Sequence, residues 1–284
     1  MSLDSTWFTE AVEQTGTAFS LKLGERVHAE QTPYQKIEIF RTETFGYLMV
    51  IDGCTMVSTR ENFLYHEMMS HPALNSHPGP RDVVIVGGGD CGTLREVLRH
   101  TEVQRATQVE IDERVTRLAE QYFPELCVAN HDPRATLFFG DGLAWMKQAQ
   151  PGSLDLIIID STDPVGPAEG LFGRKFYVDC LRALRPGGLL VQQSESPLLH
   201  LKLITEMHQA MRSAGFAQTR LLHFPQTIYP GGWWSASIAQ KTAGPLAERL
   251  DPAVIDGFEA KYYNTDTHRA AFALPTFVRK AIAV

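Results

Sequence analysis

The segment VVIVGGGDCG, residues 83–92, decides the fold: four β-branched residues run directly into three glycines. Such apolar runs are typical of strands buried on both faces of a parallel sheet. Glycines let the backbone pass close to a ligand, and the N-terminus of a following helix presents free amides. The segment therefore predicts a strand, a tight turn and a helix. The turn has two interpretations, a nucleotide-binding loop or a structural turn without a ligand.

Strands and helices alternate beyond this segment. Four more short apolar runs predict buried strands at 107–111, 136–139, 156–159 and 189–192, with helices predicted at 93–99, 112–123, 143–148 and 175–184. This alternation indicates a doubly wound parallel sheet with right-handed crossovers. Arg185-Pro186-Gly187-Gly188 predicts a sharp helix stop before the last of these strands.

The first 60 residues have a different pattern. Lys36–Phe40 and Tyr47–Ile51 predict paired β-strands, and Asn62–Leu74 predicts the first helix. We expect a small N-terminal β domain over residues 1–60, followed by a Rossmann-like catalytic domain over residues 61–284. The fold class is α/β.

Composition excludes several classes of protein. The net charge of -7 over 284 residues argues against binding to nucleic acid or to an anionic membrane surface. The four cysteines form no CxxC pair, the N-terminus resembles no signal peptide, and no apolar run reaches the roughly 20 residues that a membrane span needs. The ten histidines show no metal-ligand spacing. We expect a cytoplasmic protein without a metal site.

Two acidic positions at predicted strand ends indicate a nucleoside site. Glu110 lies twenty residues beyond Asp90, where an acid accepts hydrogen bonds from ribose hydroxyls in nucleotide-binding Rossmann units. Asp141 and Gly142 follow the next predicted strand, at the corner that meets the adenine amino group in folds that bind S-adenosylmethionine.

Asp90 is unusual beside the glycines because a carboxylate would repel a phosphate. The carboxylate of an ordinary S-adenosylmethionine tail would also fit poorly here, whereas a tail that carries only an amine would pair with Asp90. The alternative is that Asp90 only caps the helix N-terminus, a position that Asp often fills.

Asp160 and Asp163 follow another predicted strand and form an acidic pair suited to an alkylammonium ion. An amine with a pKa of about 10 arrives protonated, so its attack on a carbon beside a sulfonium needs a base. The sulfonium is already a good leaving group, which leaves positioning and deprotonation to the protein. We assign the base to Asp160 and the acceptor anchor to Asp163. The alternative is that Asp160 caps the following turn.

Five segments resemble the signature sequences of spermidine synthases, the polyamine aminopropyltransferases of bacterial type: GGGDCGTLREV, EIDERV, GDGLAWM, IIIDSTDPVGPAEGLF and KYYNTDTHRAAFALP. The resemblance runs from about Tyr34 to Lys280. It implies a methyltransferase-type Rossmann-like core, a homodimer or homotetramer, and no cofactor, because decarboxylated S-adenosylmethionine is a co-substrate. The implied acceptor is putrescine.

The resemblance also implies roles for individual residues. On the donor side, Gln35 contacts the nucleoside, Glu110 binds the ribose, Asp141 and Gly142 lie beside the adenine, and Pro167 covers it.

On the amine side, Asp90 holds the aminopropyl amine and Asp160 is the catalytic base. Four further residues line or anchor the acceptor: Tyr65, His66, Asp163 and Tyr229. Tyr65 is alternatively helix core, and His66 a channel histidine without a role.

The chain departs from the family pattern at three places. Cys91 replaces a glycine, which adds strain if the position needs a positive φ and is tolerated if the position is helical. Met56 stands where the family has glutamine. Trp233 and Trp234 either reshape the acceptor channel or belong to the core.

Three other functions compete with this interpretation. A methyltransferase that uses intact S-adenosylmethionine would share Glu110 and Asp141, but it leaves Asp90 and the Asp160/Asp163 pair unexplained. A non-catalytic binding protein would keep the pocket without the chemistry. A dehydrogenase fits less well, because Asp90 opposes a pyrophosphate.

Overall fold

The computed structural model describes residues 3–163 and 166–282, without the side chains of Pro167 and Asp256. Two sheets organise these residues, one of five strands and one of seven. Within the same ranges, no helix combines the length and the apolar character that a membrane crossing requires.

The N-terminal sheet is an antiparallel meander. Its strands follow chain order: β1 (Trp7–Val12), β2 (Thr17–Gln31), β3 (Lys36–Thr42), β4 (Tyr47–Ile51) and β5 (Cys54–Ser58). The predicted pairing of the third and fourth strands is confirmed, with Ile37 opposite Ile51. Because side chains alternate along a strand, Ile37, Ile39 and Met49 share one buried face. That face packs against the Rossmann-like part of the chain.

The second sheet has the order β8-β7-β6-β9-β10-β12-β11. Its strands are β6 (Asp82–Gly87), β7 (Arg105–Glu110), β8 (Ala135–Phe139), β9 (Leu154–Asp160), β10 (Leu184–Gln193), β11 (Gln218–Pro225) and β12 (Trp233–Gln240). The five predicted strands are parallel, as expected. The sheet then continues into an antiparallel hairpin, β11 and β12, which the sequence pattern does not predict.

Helices cover both faces of this sheet. They are α1 (Phe63–Asn75), α2 (Gly92–Leu98), α3 (Glu113–Tyr122), α4 (Gly142–Gln148), α5 (Arg174–Ala183), α6 (Leu201–Ala214), α7 (Pro252–Asp256), α8 (Thr265–Ala271) and α9 (Thr276–Ile282), with a 3-10 helix over Gly166–Phe172. Ile85 and Ile158 point into the core under α1 and α2, whereas Val86 and Ile159 point into the core under α4 and α5. The predicted Rossmann-like α/β fold is confirmed.

One local prediction is wrong, and one strand begins earlier than predicted. The strand at 136–139 is not buried on both faces: it forms the sheet edge as β8, and Phe138 on one of its faces is 45% exposed. The helix stops before Arg185–Gly188, as predicted, but the strand predicted at 189–192 begins earlier, at Leu184. The helix already ends at Ala183, and the segment is the irregular start of β10, with a register shift between Leu184 and Leu189.

The buried carboxylate of Glu67 on α1 binds the C-terminal segment through hydrogen bonds. It accepts hydrogen bonds from the backbone N–H groups of Lys261, Tyr262 and Tyr263 at 2.8, 2.9 and 2.8 Å. Because Tyr65 and His66 lie on the same helix, this contact also supports the region where the candidate site forms.

Candidate active site

The site lies where the strand order reverses. The chain runs from β6 outward to β7 and β8, then returns to place β9 on the other side of β6, with Gly87 opposite Asp160. Crevices at such switch points, outside the carboxyl ends of parallel strands, are the usual ligand sites of open α/β sheets. Two adjoining cavities open here.

We call the first one the loop cavity. Its walls are formed by the glycine turn, by the N-terminal sheet, and by acids at or just after the carboxyl ends of β7, β8 and β9. Its lining includes Gln35, Met49, Ile51, Met56, Gly87, Gly88, Gly89, Asp90, Glu110, Asp141, Gly142 and Asp160. The residues predicted for the donor side, Gln35, Glu110, Asp141 and Gly142, thus lie around one cavity, and their contacts with a ligand stay predictions.

Close packing of the turn against neighbouring strands also requires glycine at these positions. A Cβ at Gly87 would lie 2.1 Å from the backbone oxygen of Asp160, and one at Gly89 would lie 2.8 Å from Oε2 of Glu110. The N–H of Gly88 donates to the backbone oxygen of Asp160 at 2.7 Å. The turn is therefore packed directly against two acid-bearing strand ends, and it also lines a cavity.

Glu110 is buried at the end of β7, and burial raises its pKa to about 7. Its Oε1 accepts the N–H of Asp112 at 2.9 Å, which fixes the carboxylate at the cavity wall. The side chains of Thr32 and Gln35 both donate to Oδ2 of Asp112, at 2.7 and 3.1 Å. The N-terminal sheet is thereby joined to the first turn of α3, beside the predicted ribose position.

Asp141 caps α4 by accepting the N–H of Leu143 at 2.8 Å. A Cβ at Gly142 would lie 2.5 Å from Cγ1 of Val86, so the helix approaches β6 closely only because this residue is glycine. The side chain of Pro167 lies outside the described part of the chain, and its position over the base stays a prediction.

Asp90 and His66 face each other, with Nε2 of His66 3.0 Å from Oδ2 of Asp90. Burial lowers the pKa of His66, but the Asp90 carboxylate raises it by more than burial lowers it. The pKa of His66 therefore lies above its ordinary value. The charge of His66 likewise lowers the pKa of Asp90 against its burial. Oδ1 of Asp90 also accepts the N–H of Gly92 at 2.8 Å. Asp90 thus supports the helix start and lines the cavity at once.

The carboxylate of Asp160 is held by two hydroxyls. Tyr65 donates to Oδ1 at 2.7 Å, and Thr93 donates to Oδ2 at 2.6 Å. Burial and the nearby Asp90 raise the pKa of Asp160, although His66 and the two hydroxyls oppose this. A raised pKa favours proton acceptance. Thr93 was not predicted, because a threonine in the first turn of a helix carries no sequence signal for this contact.

The second cavity, which we call the Trp234 cavity, shares five wall residues with the loop cavity: Met56, Tyr65, Ser161, Thr162 and Tyr229. Asp163, predicted as the acceptor anchor, lines it. The Tyr229 ring lies 4.6 Å from that of Trp234 and 5.8 Å from that of Tyr65, and its hydroxyl donates to the backbone oxygen of Met56 at 2.8 Å. The rings of Tyr65 and Tyr229 therefore lie in the wall that the two cavities share.

Two further acids in the Trp234 cavity were not predicted from the sequence. Glu195 follows β10 and is 3% exposed; burial and Asp163 raise its pKa well above the ordinary value. Glu10 comes from β1, and both the N–H and the hydroxyl of Thr55 donate to its Oε2 at 2.7 Å. Glu195 lies just beyond a predicted strand, so the rule that identified Asp160 could have found it. Glu10 has no such signal.

The three departures from the family pattern have different outcomes. Cys91 adopts a φ of +70°, so the strained alternative is the one found. Met56 lines both cavities. Trp234 lines the Trp234 cavity, whereas Trp233 packs away from it, with its Nε1 donating to Nδ1 of His223 at 3.0 Å.

Residues 62–249 match the family model described as spermine/spermidine synthase domain, and residues 6–59 match the spermidine synthase tetramerisation domain. The chain therefore belongs to the spermine/spermidine synthase family.

Individual relatives agree with this assignment. The chain is 63% identical over 277 residues to the polyamine aminopropyltransferase of Methylococcus capsulatus, covering 97% of this chain and 96% of the relative. It is 62% identical to that of Thioalkalivibrio sulfidiphilus, covering 99% of both. A spermidine synthase solved with the transition state analogue AdoDATO superposes with a TM-score of 0.92 at 34% identity, covering 99% of this chain and 96% of that one. The spermidine synthase of Thermotoga maritima superposes with a TM-score of 0.90 at the same identity and coverage. The protein is an aminopropyltransferase of the spermidine synthase type.

Proposed function

We propose that this enzyme transfers the aminopropyl group of decarboxylated S-adenosylmethionine to putrescine, giving spermidine and S-methyl-5'-thioadenosine. The observation that carries the proposal is the pair of adjoining cavities, each lined by carboxylates. Asp90 and Asp160 line one, and Asp163, Glu10 and Glu195 line the other. Two cationic ligands would meet at the wall that the cavities share.

The donor would occupy the loop cavity. Gln35, Glu110, Asp141 and Gly142, with Pro167 above them, would hold the nucleoside. The amine of the aminopropyl tail would pair with Asp90. An intact S-adenosylmethionine would bring its own carboxylate toward Asp90 and Asp160, and like charges at short range in a buried site are unfavourable.

The acceptor would occupy the Trp234 cavity. One ammonium of the diamine would be held by Asp163 with the buried acids Glu10 and Glu195, whose raised pKa values would fall again once a cation lies beside them. The other amine would reach past the shared wall residues Tyr65 and Tyr229 toward Asp160.

The reaction needs one proton transfer and one displacement. Asp160 takes a proton from the acceptor ammonium, and the free nitrogen attacks the carbon attached to the sulfonium. The carbon–nitrogen bond forms as the carbon–sulfur bond breaks, and the electron pair of that bond stays on sulfur as a neutral thioether. The side chains present here supply positioning, proton acceptance and two fixed negative sites.

A donor and acceptor comparison tests this proposal. Purified enzyme is given decarboxylated or intact S-adenosylmethionine with putrescine, cadaverine, agmatine or spermidine. Release of methylthioadenosine is followed, and with the intact donor also release of S-adenosylhomocysteine, the product of methyl transfer. We expect fastest release with the decarboxylated donor and putrescine. Faster turnover of the intact donor, with a methylated product, would support a methyltransferase instead. No release with any amine would exclude the proposed reaction.

We also propose that the enzyme is a cytoplasmic homotetramer that binds no nucleic acid and uses no metal or other cofactor. The match of residues 6–59 to a spermidine synthase tetramerisation domain supports the assembly. Light scattering of the purified protein distinguishes a tetramer from the homodimer that the resemblance equally allows.

A further inference from the structure

Thr93 is in contact with the proposed base but not with the space where substrates would bind. Its Oγ1 lies 2.6 Å from Oδ2 of Asp160, and the residue is fully buried in the first turn of α2. Thr93 is missing from the described residues that line the loop cavity and the Trp234 cavity. Its hydroxyl therefore approaches the carboxylate from behind.

With this contact, both oxygens of the Asp160 carboxylate accept a hydrogen bond from a side-chain hydroxyl. A threonine hydroxyl in a helix commonly donates to a backbone oxygen of the preceding turn. Here it donates instead to Asp160, which accepts a second bond from Tyr65 on α1. One hydroxyl on each carboxylate oxygen fixes the carboxylate plane between two helices, and each oxygen keeps a free lone pair for the incoming ammonium.

The charges around Asp160 shift its pKa, so the hydrogen bond from Thr93 affects whether the carboxylate is ionised. Asp90 raises the pKa of Asp160 together with burial, and His66 lowers it. The titratable groups around Asp160 come from the glycine loop, α1, β7 and the loop after β11: Asp90, Tyr65, His66, Glu110 and Tyr229. A hydrogen bond to the charged form of a carboxylate favours ionisation.

We infer that Thr93 is a positioning residue for the aminopropyl transfer: its hydroxyl orients the Asp160 carboxylate and keeps it ionised at working pH. This inference rests on the proposed role of Asp160 as the base. Hydrogen bonds to charged groups contribute roughly 1.5–3 kcal/mol, which corresponds to about a 10- to 100-fold change in rate if the bond acts fully in the transition state.

The test compares Thr93→Val, which keeps the branched shape without the hydroxyl, with Thr93→Ser, which restores the hydroxyl. Turnover with saturating putrescine and decarboxylated donor is measured from about pH 6 to 9.5. For Thr93→Val we expect kcat to fall about tenfold at neutral pH and the acid limb of the pH profile to move to higher pH, because Asp160 loses a donor that favours ionisation. Thr93→Ser should recover most of kcat and the original limb.

Thr93→Ala gives a second hydroxyl-free side chain in case the valine packs poorly, and binding of methylthioadenosine reports on an intact loop cavity. An unshifted acid limb in both Thr93→Val and Thr93→Ala would overturn the inference. So would a Thr93→Ser enzyme as slow as Thr93→Val. Asp160→Asn is measured in parallel: if that variant is inactive while Thr93→Val is normal, only the role of Thr93 fails, whereas an active Asp160→Asn enzyme removes the base itself.

Discussion

Cys91 begins α2 in a left-handed conformation that costs a non-glycine residue roughly 1–2 kcal/mol. Part of this cost is offset by burial of the thiol, which contacts the backbone oxygen of Gly89 at 3.6 Å and accepts from Nε2 of Gln108 at 3.5 Å. Cysteine carries a single heavy atom on Cβ, so it fits here better than a branched residue would.

We therefore expect Cys91→Val to be less stable than Cys91→Gly by about 1–3 kcal/mol, because a β-branched side chain at positive φ is strongly disfavoured. Urea unfolding of the two variants beside the wild type measures the difference. Equal stabilities would show that the left-handed conformation imposes no constraint at this position.

The pKa of Glu110, which burial raises to about 7, predicts a pH dependence of donor binding. In the proposed complex the ribose hydroxyls would donate to the ionised carboxylate, so binding would favour loss of the proton and should strengthen as pH rises through about 7. Calorimetry with methylthioadenosine at pH 6 and pH 8 should give tighter binding at pH 8. Glu110→Gln should remove the difference, and a wild-type affinity that is the same at both values would contradict the role of this acid.

At the level of elements, the strands that the sequence predicts are those with a strong local pattern. Short runs with apolar residues predict β6, β7, β9 and β10, and acids at or just after the carboxyl ends of three of these strands give the candidates Asp90, Glu110 and Asp160. The hairpin β11–β12 pairs antiparallel with a strand far away in sequence, so its neighbours cannot be inferred locally. Edge exposure of β8 is likewise a property of the assembled sheet.

The three backbone bonds to Glu67 predict a large stability effect at the α1 contact. In Glu67→Gln one acceptor oxygen becomes a donor, which leaves one or two of these part-buried or buried N–H groups without a partner; we expect a loss of about 1–3 kcal/mol. Urea unfolding measures it.

Glu113→Gln is the matched control. Glu113 makes an exposed bond to Arg117 within α3, and its loss should change the free energy of unfolding by less than about 0.5 kcal/mol. A similarly small effect for Glu67→Gln would mean that the C-terminal segment is held by other contacts.

At the level of the whole molecule, both parts of the chain build the site. Thr32 and Gln35 reach the start of α3 through Asp112, and Glu10 brings a carboxylate from β1 into the Trp234 cavity. The predicted domain boundary between residues 60 and 61 follows the change of sequence pattern. It does not predict that residues from the first 60 positions line both cavities. Contacts between separate sheets depend on docking, which no local pattern encodes.

The proposed function depends most on Asp160, which we expect to accept the proton that frees the attacking amine. Asp160→Asn keeps the shape of the side chain and still allows both hydroxyl contacts, but it removes the base. Binding of methylthioadenosine should therefore stay within about threefold of wild type, while turnover with putrescine falls by about 10²–10⁴-fold. Asp163→Asn is the control, expected mainly to raise the KM for putrescine. An Asp160→Asn enzyme that turns over within tenfold of wild type would contradict the account.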